Sequence, residues 1–385
     1  MKIGESKEFS HTRGTLVLAG LDIFMRGRCR DRAHMSGFPG GTFLTEIADE
    51  AERRGFLVVT LDQFLAGNKW PAPALLVSDM GVGLRECVGR AIPAVCWCLE
   101  SPIVANRFFH RLEKNTAPFR HLFVWSGAFA RVPAGTGFHP MLWPNEFRGT
   151  VKDQPWGARR FAVMVTANKV PFRLVWPAPS YQPWRLVRWL GAMLLNAPAT
   201  AWIRGTDPWM RENLSGARRE AVVCFGGGFD FDLFGCGWEA ALRSDNAPLA
   251  AAVKRCYRGP IPPGVAAKVE TVAGYRFCLC FENTRFPGYV TEKIFDALFA
   301  GSIPVYLGAP DISHHVWPEC FVDASRFSSP ADLAAFLGGL SETDTHQLRE
   351  RGRAFLASKD FDRFCAEHTA RLVVDALEDK PDAAI

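Results

Sequence analysis

Nothing in this chain of 385 residues is long and apolar enough to cross a bilayer as a helix. The richest stretch, "WLGAMLLNAPATAW" from Trp189 to Trp202, is too short and is broken by Asn196 and Pro198. The opening "MKIGESKEFSHTRGT" lacks the apolar centre of a signal peptide. There are 11 cysteines, but none has metal-ligand spacing, and an odd, scattered set argues for a reducing compartment. The close pairs "CWC" (Cys96, Cys98) and "CLC" (Cys278, Cys280) each face one side of a strand and read as small buried residues. No repeat of solenoid period is present. A net charge of +5 gives no nucleic-acid footprint, although it suits anionic ligands. The expected location is therefore cytoplasmic. Peripheral contact with the inner face of the membrane is the minority option, through the tail arginines Arg349, Arg351, Arg353, Arg363 and Arg371; a solvated face is the default.

What the chain does have is a soluble globular composition, 48% hydrophobic and 22% charged, and enough length for two domains. "GTLVLAGLDIF" reads as a buried strand, "FLTEIADEAERRG" as a helix stopped by Gly55, and "FLVVTLDQF" as the next strand. "ALLVSDMG", "AIPAVCWCLES" and "HLFVWSG" continue the pattern. Short apolar strands alternating with helices predict parallel sheets covered on both faces. The segment Phe138–Trp156, rich in Pro, Trp and polar residues, reads as an interdomain linker. "RRFAVMVTANK" opens a second series, followed by a helix at "RLVRWLGAMLL", strands at "FDFDLFG" and "YRFCLCFEN", a helix at "VTEKIFDALFAG" and a strand at "IPVYLG". The expected architecture is two α/β domains, residues 1–150 and 157–345, facing a cleft, with a helical tail over 346–385.

The densest local signal is "FENTRFPGYVTEKIFDALFAGSIPVYLG", Phe281 to Gly308. It is a strand, a loop re-aimed by Pro287 and Gly288, and a helix with Thr291 as N-cap, Ile294, Phe295 and Leu298 buried, and Gly301 as its end. Ligands of open α/β sheets gather at strand carboxyl ends. A helix N-terminus suits phosphate, so Lys293 in the first turn points to an anion, and Glu292 can accept two sugar hydroxyls beside Tyr289 as an aromatic wall. Taken alone, the Glu–Lys pair reads rather as a solvated helix start, which is common.

The whole string resembles the signature of the alpha-1,3/1,4-fucosyltransferases, glycosyltransferase family 10, in its bacterial form. Its core is F-E-N-x(5)-Y-V-T-E-K followed by A-G-x-x-P-V-Y-x-G. The resemblance implies a GT-B fold of two Rossmann-like domains, with the acceptor on the first and GDP-fucose on the second. It implies an inverting transfer with Asn283, Tyr289, Glu292 and Lys293 lining the donor site. It also implies that "LESP" in the first domain carries the base, Glu100, at a strand's carboxyl end; the competing role for that tetrapeptide is helix capping through Ser101. A second diphosphate cation is expected at Arg185, four residues before Trp189, with Arg173 and Lys169 as rivals and Arg188 solvated.

No D-x-D clamp stands at a strand end, because Asp230 and Asp232 alternate within one strand, so neither metal nor cofactor is expected and cations neutralise the leaving group. Gly235-x-Gly237-x-x-Ala240 imitates a dinucleotide fingerprint but lacks its acidic partner and reads as a turn beneath the donor cleft. His314 and His315 are expected to wall a loop; the aromatic residues read mostly as core, with stacking on an acceptor sugar the alternative for Trp143 and Trp156 near the linker. The expected partners are GDP-fucose and a glycan acceptor in surface polysaccharide or lipopolysaccharide synthesis, without nucleic acid. The alternatives are another nucleotide-sugar donor, or a nucleotide-sugar binder without catalysis.

Overall fold

A computed structural model describes residues 12–378 apart from 21–26, 38–39, 68, 89, 91, 113–118, 131–134, 148, 150, 152–153 and 169–211. Two sheets organise them. The first has the order β2-β1-β3-β4-β5-β6, from Gly14–Ala19 (β1), Phe56–Thr60 (β2), Ala74–Asp79 (β3), Ala94–Trp97 (β4), His121–Val124 (β5) and Gly137–Pro140 (β6). The second has the order β11-β10-β9-β7-β8, from Arg160–Val165 (β7), Phe231–Phe234 (β8), Tyr275–Phe281 (β9), Ile303–Leu307 (β10) and Val322–Asp323 (β11). Every ladder in both sheets is parallel.

The strands are parallel for the reason legible in their composition. All six residues of β1 are buried, as are Leu75 to Asp79 of β3 and all four of β4. A strand with no polar face must be covered on both sides, which crossover helices accomplish. Helix α1 (Thr42–Arg53) buries Phe43, Leu44, Ile47, Ala48 and Ala51 on one stripe. The sheets reverse order between β1 and β3 and between β7 and β9, and such switch points open crevices at strand carboxyl ends.

The first strand of the expected linker belongs to the sheet: β6 pairs Phe138 with Leu122 and His139 with Phe123, and the connecting segment begins after Pro140. The tail divides its packing. Helix α2 (Glu342–Leu356) lies against the second unit near α3 (Glu292–Phe299), whereas Ala366–Glu378 returns to pack on α1 of the first. Arg54 of the first unit pairs with Asp375 and Glu378 at 2.6 and 2.7 Å. One apolar core spans the interface, from Leu16 and Trp125 through Tyr289 and Phe295 to Val374; a second lies inside the other unit around Met164, Phe225 and Leu279. The four cysteines of the two close pairs are buried in these cores.

Candidate active site

The signature segment folds as its composition directs. β9 ends at Phe281, and Glu282 still pairs with the neighbouring strand, its N–H donating to Leu307 O at 2.7 Å. The loop turns at Gly288, whose φ of +75° is a backbone conformation that L side chains rarely adopt. Thr291 then takes extended geometry at the N-cap of α3. Its hydroxyl caps no helical N–H. It meets Glu282 instead, whose carboxylate accepts from Thr291 N at 2.9 Å and Thr291 Oγ1 at 2.8 Å.

That carboxylate also determines where Lys293 points. Glu282 is wholly buried, and Lys293 Nζ donates to its Oε2 at 2.8 Å and to Thr291 Oγ1 at 2.8 Å. Lys293 thus has an internal counter-ion, because an unpaired carboxylate at the depth of Glu282 is too costly. Glu292, too, is engaged. Its Oε1 lies 3.2 Å from Lys268 Nζ and 3.7 Å from Lys293 Nζ. Burial alone would raise its pKa, but the two lysines win and hold it well below the usual carboxylate range.

Asn283 and Tyr289 come together, Asn283 Nδ2 donating to the Tyr289 hydroxyl at 3.2 Å. Arg218, from the helix Ser215–Gly228, donates to Asn283 Oδ1 at 2.9 Å and to Phe281 O at 2.7 Å. Burial lowers its pKa, with the charge of Glu282 acting the other way. Sequence reasoning missed Arg218, since nothing in "SGARREAVV" marks it locally. The arginine expected instead, Arg185, lies outside the described residues, as do Lys169, Arg173 and Arg188.

The first unit reaches the same place. Glu100 follows β4, and its carbonyl accepts from Trp125 Nε1 at 2.9 Å. The Trp125 ring meets Tyr289 edge-on with centroids 4.9 Å apart. Ser101 Oγ accepts from Val104 N at 3.4 Å and starts the turn beyond the half-buried Glu100; the next helix begins only at Asn106, so the hydroxyl serves that turn rather than the helix. Behind Glu100, at the end of β3, Asp79 is 4% exposed, and burial followed by the charge of Glu100 pushes it up to about 7.

A cleft of about 580 Å³ between the units is lined by Glu100, Asn283, Tyr289, Thr291, Glu292 and Lys293, and by Lys268 and Asp296. The carboxyl ends of β7 and β8 form part of it through Thr166 and Gly235. Gly235 belongs to the false dinucleotide fingerprint. A Cβ there would stand 2.1 Å from Thr166 O, and Trp238 Nε1 donates to the same carbonyl at 2.8 Å, so the glycine turn seals two strand ends together. Asp230 and Asp232 lie at the other end of β8. Asp230 pairs with Arg160, and Asp232 accepts from the Tyr275 hydroxyl at 2.6 Å.

Trp143 lines the cleft, whereas Trp156 does not and is stacked under Arg276 and Arg349. His315 leans on Asp311 at 3.3 Å, and Asp311 in turn accepts from Gly288 N at 2.8 Å, so this pair braces the signature loop. Among the described residues no group of three or more His, Cys, Asp or Glu is arranged to hold a metal, and no helix is long and apolar enough to cross a membrane. Of the tail arginines, Arg349 donates to Gly301 O and Arg363 to His314 O.

Two Rossmann-like units facing a cleft, with convergent polar groups at strand carboxyl ends, define the GT-B class of α/β proteins. The Anabaena protein HepE, in its complex with UDP-glucose, shares that fold at a TM-score of 0.52 and 11% identity, covering 94% of this chain and 99% of its own. Residues 253–350 match the family model described as glycosyltransferase family 10 (fucosyltransferase) C-term. Over 104 residues the chain is 41% identical to human alpha-(1,3)-fucosyltransferase 7, a stretch that is 26% of this chain and 30% of that protein. It is 43% identical over 72 residues to alpha-(1,3)-fucosyltransferase FucT of Helicobacter pylori, 19% of this chain and 15% of the relative. Over residues 253–350, about a quarter of its length, the chain is similar to glycosyltransferase family 10, and it spans no more than about a third of the curated relatives it matches.

Proposed function

We propose that the chain transfers L-fucose from GDP-fucose to a glycan hydroxyl with inversion at the anomeric carbon. The observation that carries this reading is the convergence of Glu100 from one unit with Asn283, Glu292 and Lys293 from the other on a single cleft. The acceptor oxygen attacks the anomeric carbon as the bond to the diphosphate oxygen breaks; its proton passes to Glu100, and GDP departs with the electron pair. Lys293 and Arg185 offset the growing charge on the diphosphate, so the reading needs no metal or cofactor. Glu292 binds the ribose hydroxyls, and Asn283 with Tyr289, braced by Arg218, shapes the donor pocket.

The 41% identity within the matched domain to a fucosyltransferase supports fucose as the sugar. Assembly of surface polysaccharide or lipopolysaccharide is the proposed setting, in the cytoplasm. The experiment is incubation with GDP-fucose, and separately with other GDP-sugars, against a panel of N-acetyllactosamine and lipid-linked glycans, with products read by mass. A product heavier by one deoxyhexose is expected. Turnover with another GDP-sugar and none with GDP-fucose overturns the donor assignment, and GDP-fucose binding without turnover on any acceptor favours a binder.

A further inference from the structure

Five charged side chains along one wall of the cleft form a line of alternating sign. Glu282 meets Lys293 at 2.8 Å, Lys293 meets Glu292 at 3.7 Å, Glu292 meets Lys268 at 3.2 Å, and Lys268 meets Asp296 at 2.7 Å. The two ends, Glu282 and Asp296, are buried, with side chains 0% and 3% exposed; the three inner members keep 13–21% and line the cleft. Lys268 comes from the helix Val265–Val272, which packs beside α3.

The geometry at Glu292 is specific. Both lysines approach the same oxygen, Oε1, at 3.2 and 3.7 Å. Without Lys268, the ion pair left to Glu292 among the described residues is with Lys293, and that lysine is already committed to Glu282. A carboxylate free to swing between partners loses the fixed orientation that binding two adjacent hydroxyls requires. Asp296 completes the device by holding Lys268 from its far side.

We infer that Lys268, gripped by Asp296, is a positioning residue that fixes the Glu292 carboxylate for the vicinal diol of the nucleoside diphosphate donor. The inference rests on the reading of Glu292 as the ribose-binding group. Its consequence is selectivity rather than overall affinity, because a site built to hydrogen-bond hydroxyls rejects an analogue that lacks them.

The test compares dissociation constants of GDP and 2′,3′-dideoxy-GDP by calorimetry. Lys268→Met alone leaves Asp296 buried without its cation and threatens folding, so the working variant is Lys268→Met/Asp296→Asn, checked by thermal denaturation. The parent is expected to prefer GDP by about tenfold or more. The double variant is expected to lose most of that preference while binding dideoxy-GDP within about threefold of the parent, and Lys268→Arg to restore it. Equal weakening toward both nucleotides in the double variant overturns the inference, since that is what a general loss of positive charge or of structure produces. If Glu292→Gln abolishes the preference and the Lys268 variants keep it, the inference fails while the ribose reading stands. If the parent shows no preference, or binds no GDP, both fall.

Discussion

The ammonium of Lys293 lies 2.8 Å from Oε2 of Glu282, a carboxylate with no exposed surface. The lysine is therefore at once a candidate ligand for a diphosphate and the counter-ion of a buried acid. Those two roles separate by mutation. Lys293→Met abolishes the cation and strands Glu282, with an expected cost on the order of 3–5 kcal/mol. Glu282→Gln in the same chain relieves most of that cost without returning a positive charge. Urea denaturation is expected to show recovery in the double variant, and GDP titration none; recovery of GDP binding as well contradicts the role of Lys293.

Glu100 is expected to act on the proton alone. Glu100→Gln keeps the shape of the side chain and removes its basicity, so the transfer rate falls by about 10²- to 10⁴-fold while the GDP dissociation constant holds. Single-turnover consumption of GDP-fucose measures the first and calorimetry the second. A rate within a few-fold of the parent removes Glu100 from the chemistry.

Asp79 gives a pH signature of stability. Its usual value is 3.8, and burial, assisted by the charge of Glu100, moves it to about 7 in the folded chain. The thiols of Cys96 and Cys98 also face it from β4 and the residues just after. Between those two values the folded chain keeps a proton that the unfolded chain has lost. Stability contributed at this position therefore falls as pH rises from about 4 to 7 and stays low above. Asp79→Asn is expected to raise the melting temperature at pH 8, by an amount corresponding to about 1–3 kcal/mol, and to change it little at pH 4. Equal effects at the two pH values contradict the assignment.

Gly288 joins local geometry to the site. An alanine there must adopt a φ near +75°, and its Cβ falls 2.4 Å from Ser126 Oγ of the first unit. The adjacent Tyr289 touches Trp125 across the same interface, so displacement propagates to both halves of the cleft. Gly288→Ala is expected to cost about 1–3 kcal/mol and to slow transfer. Thermal denaturation and initial rates read these together; an unchanged rate with full loss of stability separates the loop from the site.

The diphosphate charge is assigned to side chains, so excess EDTA is expected to leave the transfer rate within about twofold of its untreated value. A rate that collapses in EDTA and returns with a divalent cation overturns that assignment.

Much of this architecture is legible in the amino acids because its causes are local. A parallel strand buried on both faces has to be a short apolar run, and β1, β3, β4 and β9 announce themselves that way. Gly288 and Thr291 dictate a turn and a helix start within a few residues. The line of ion pairs has no such local cause. Lys293 and Glu282 are 11 residues apart, Lys268 and Glu292 are 24, and Arg218 and Asn283 are 65. A charged side chain looks the same in sequence whether solvated or buried, and burial is what makes a carboxylate pair with a cation, as Glu282 does, or hold its proton, as Asp79 does. The amino acids by themselves determined which groups stand at the carboxyl ends of the strands. Only the tertiary structure decided which of them are already paired, because Coulomb energy and desolvation depend on distance in space and depth from water.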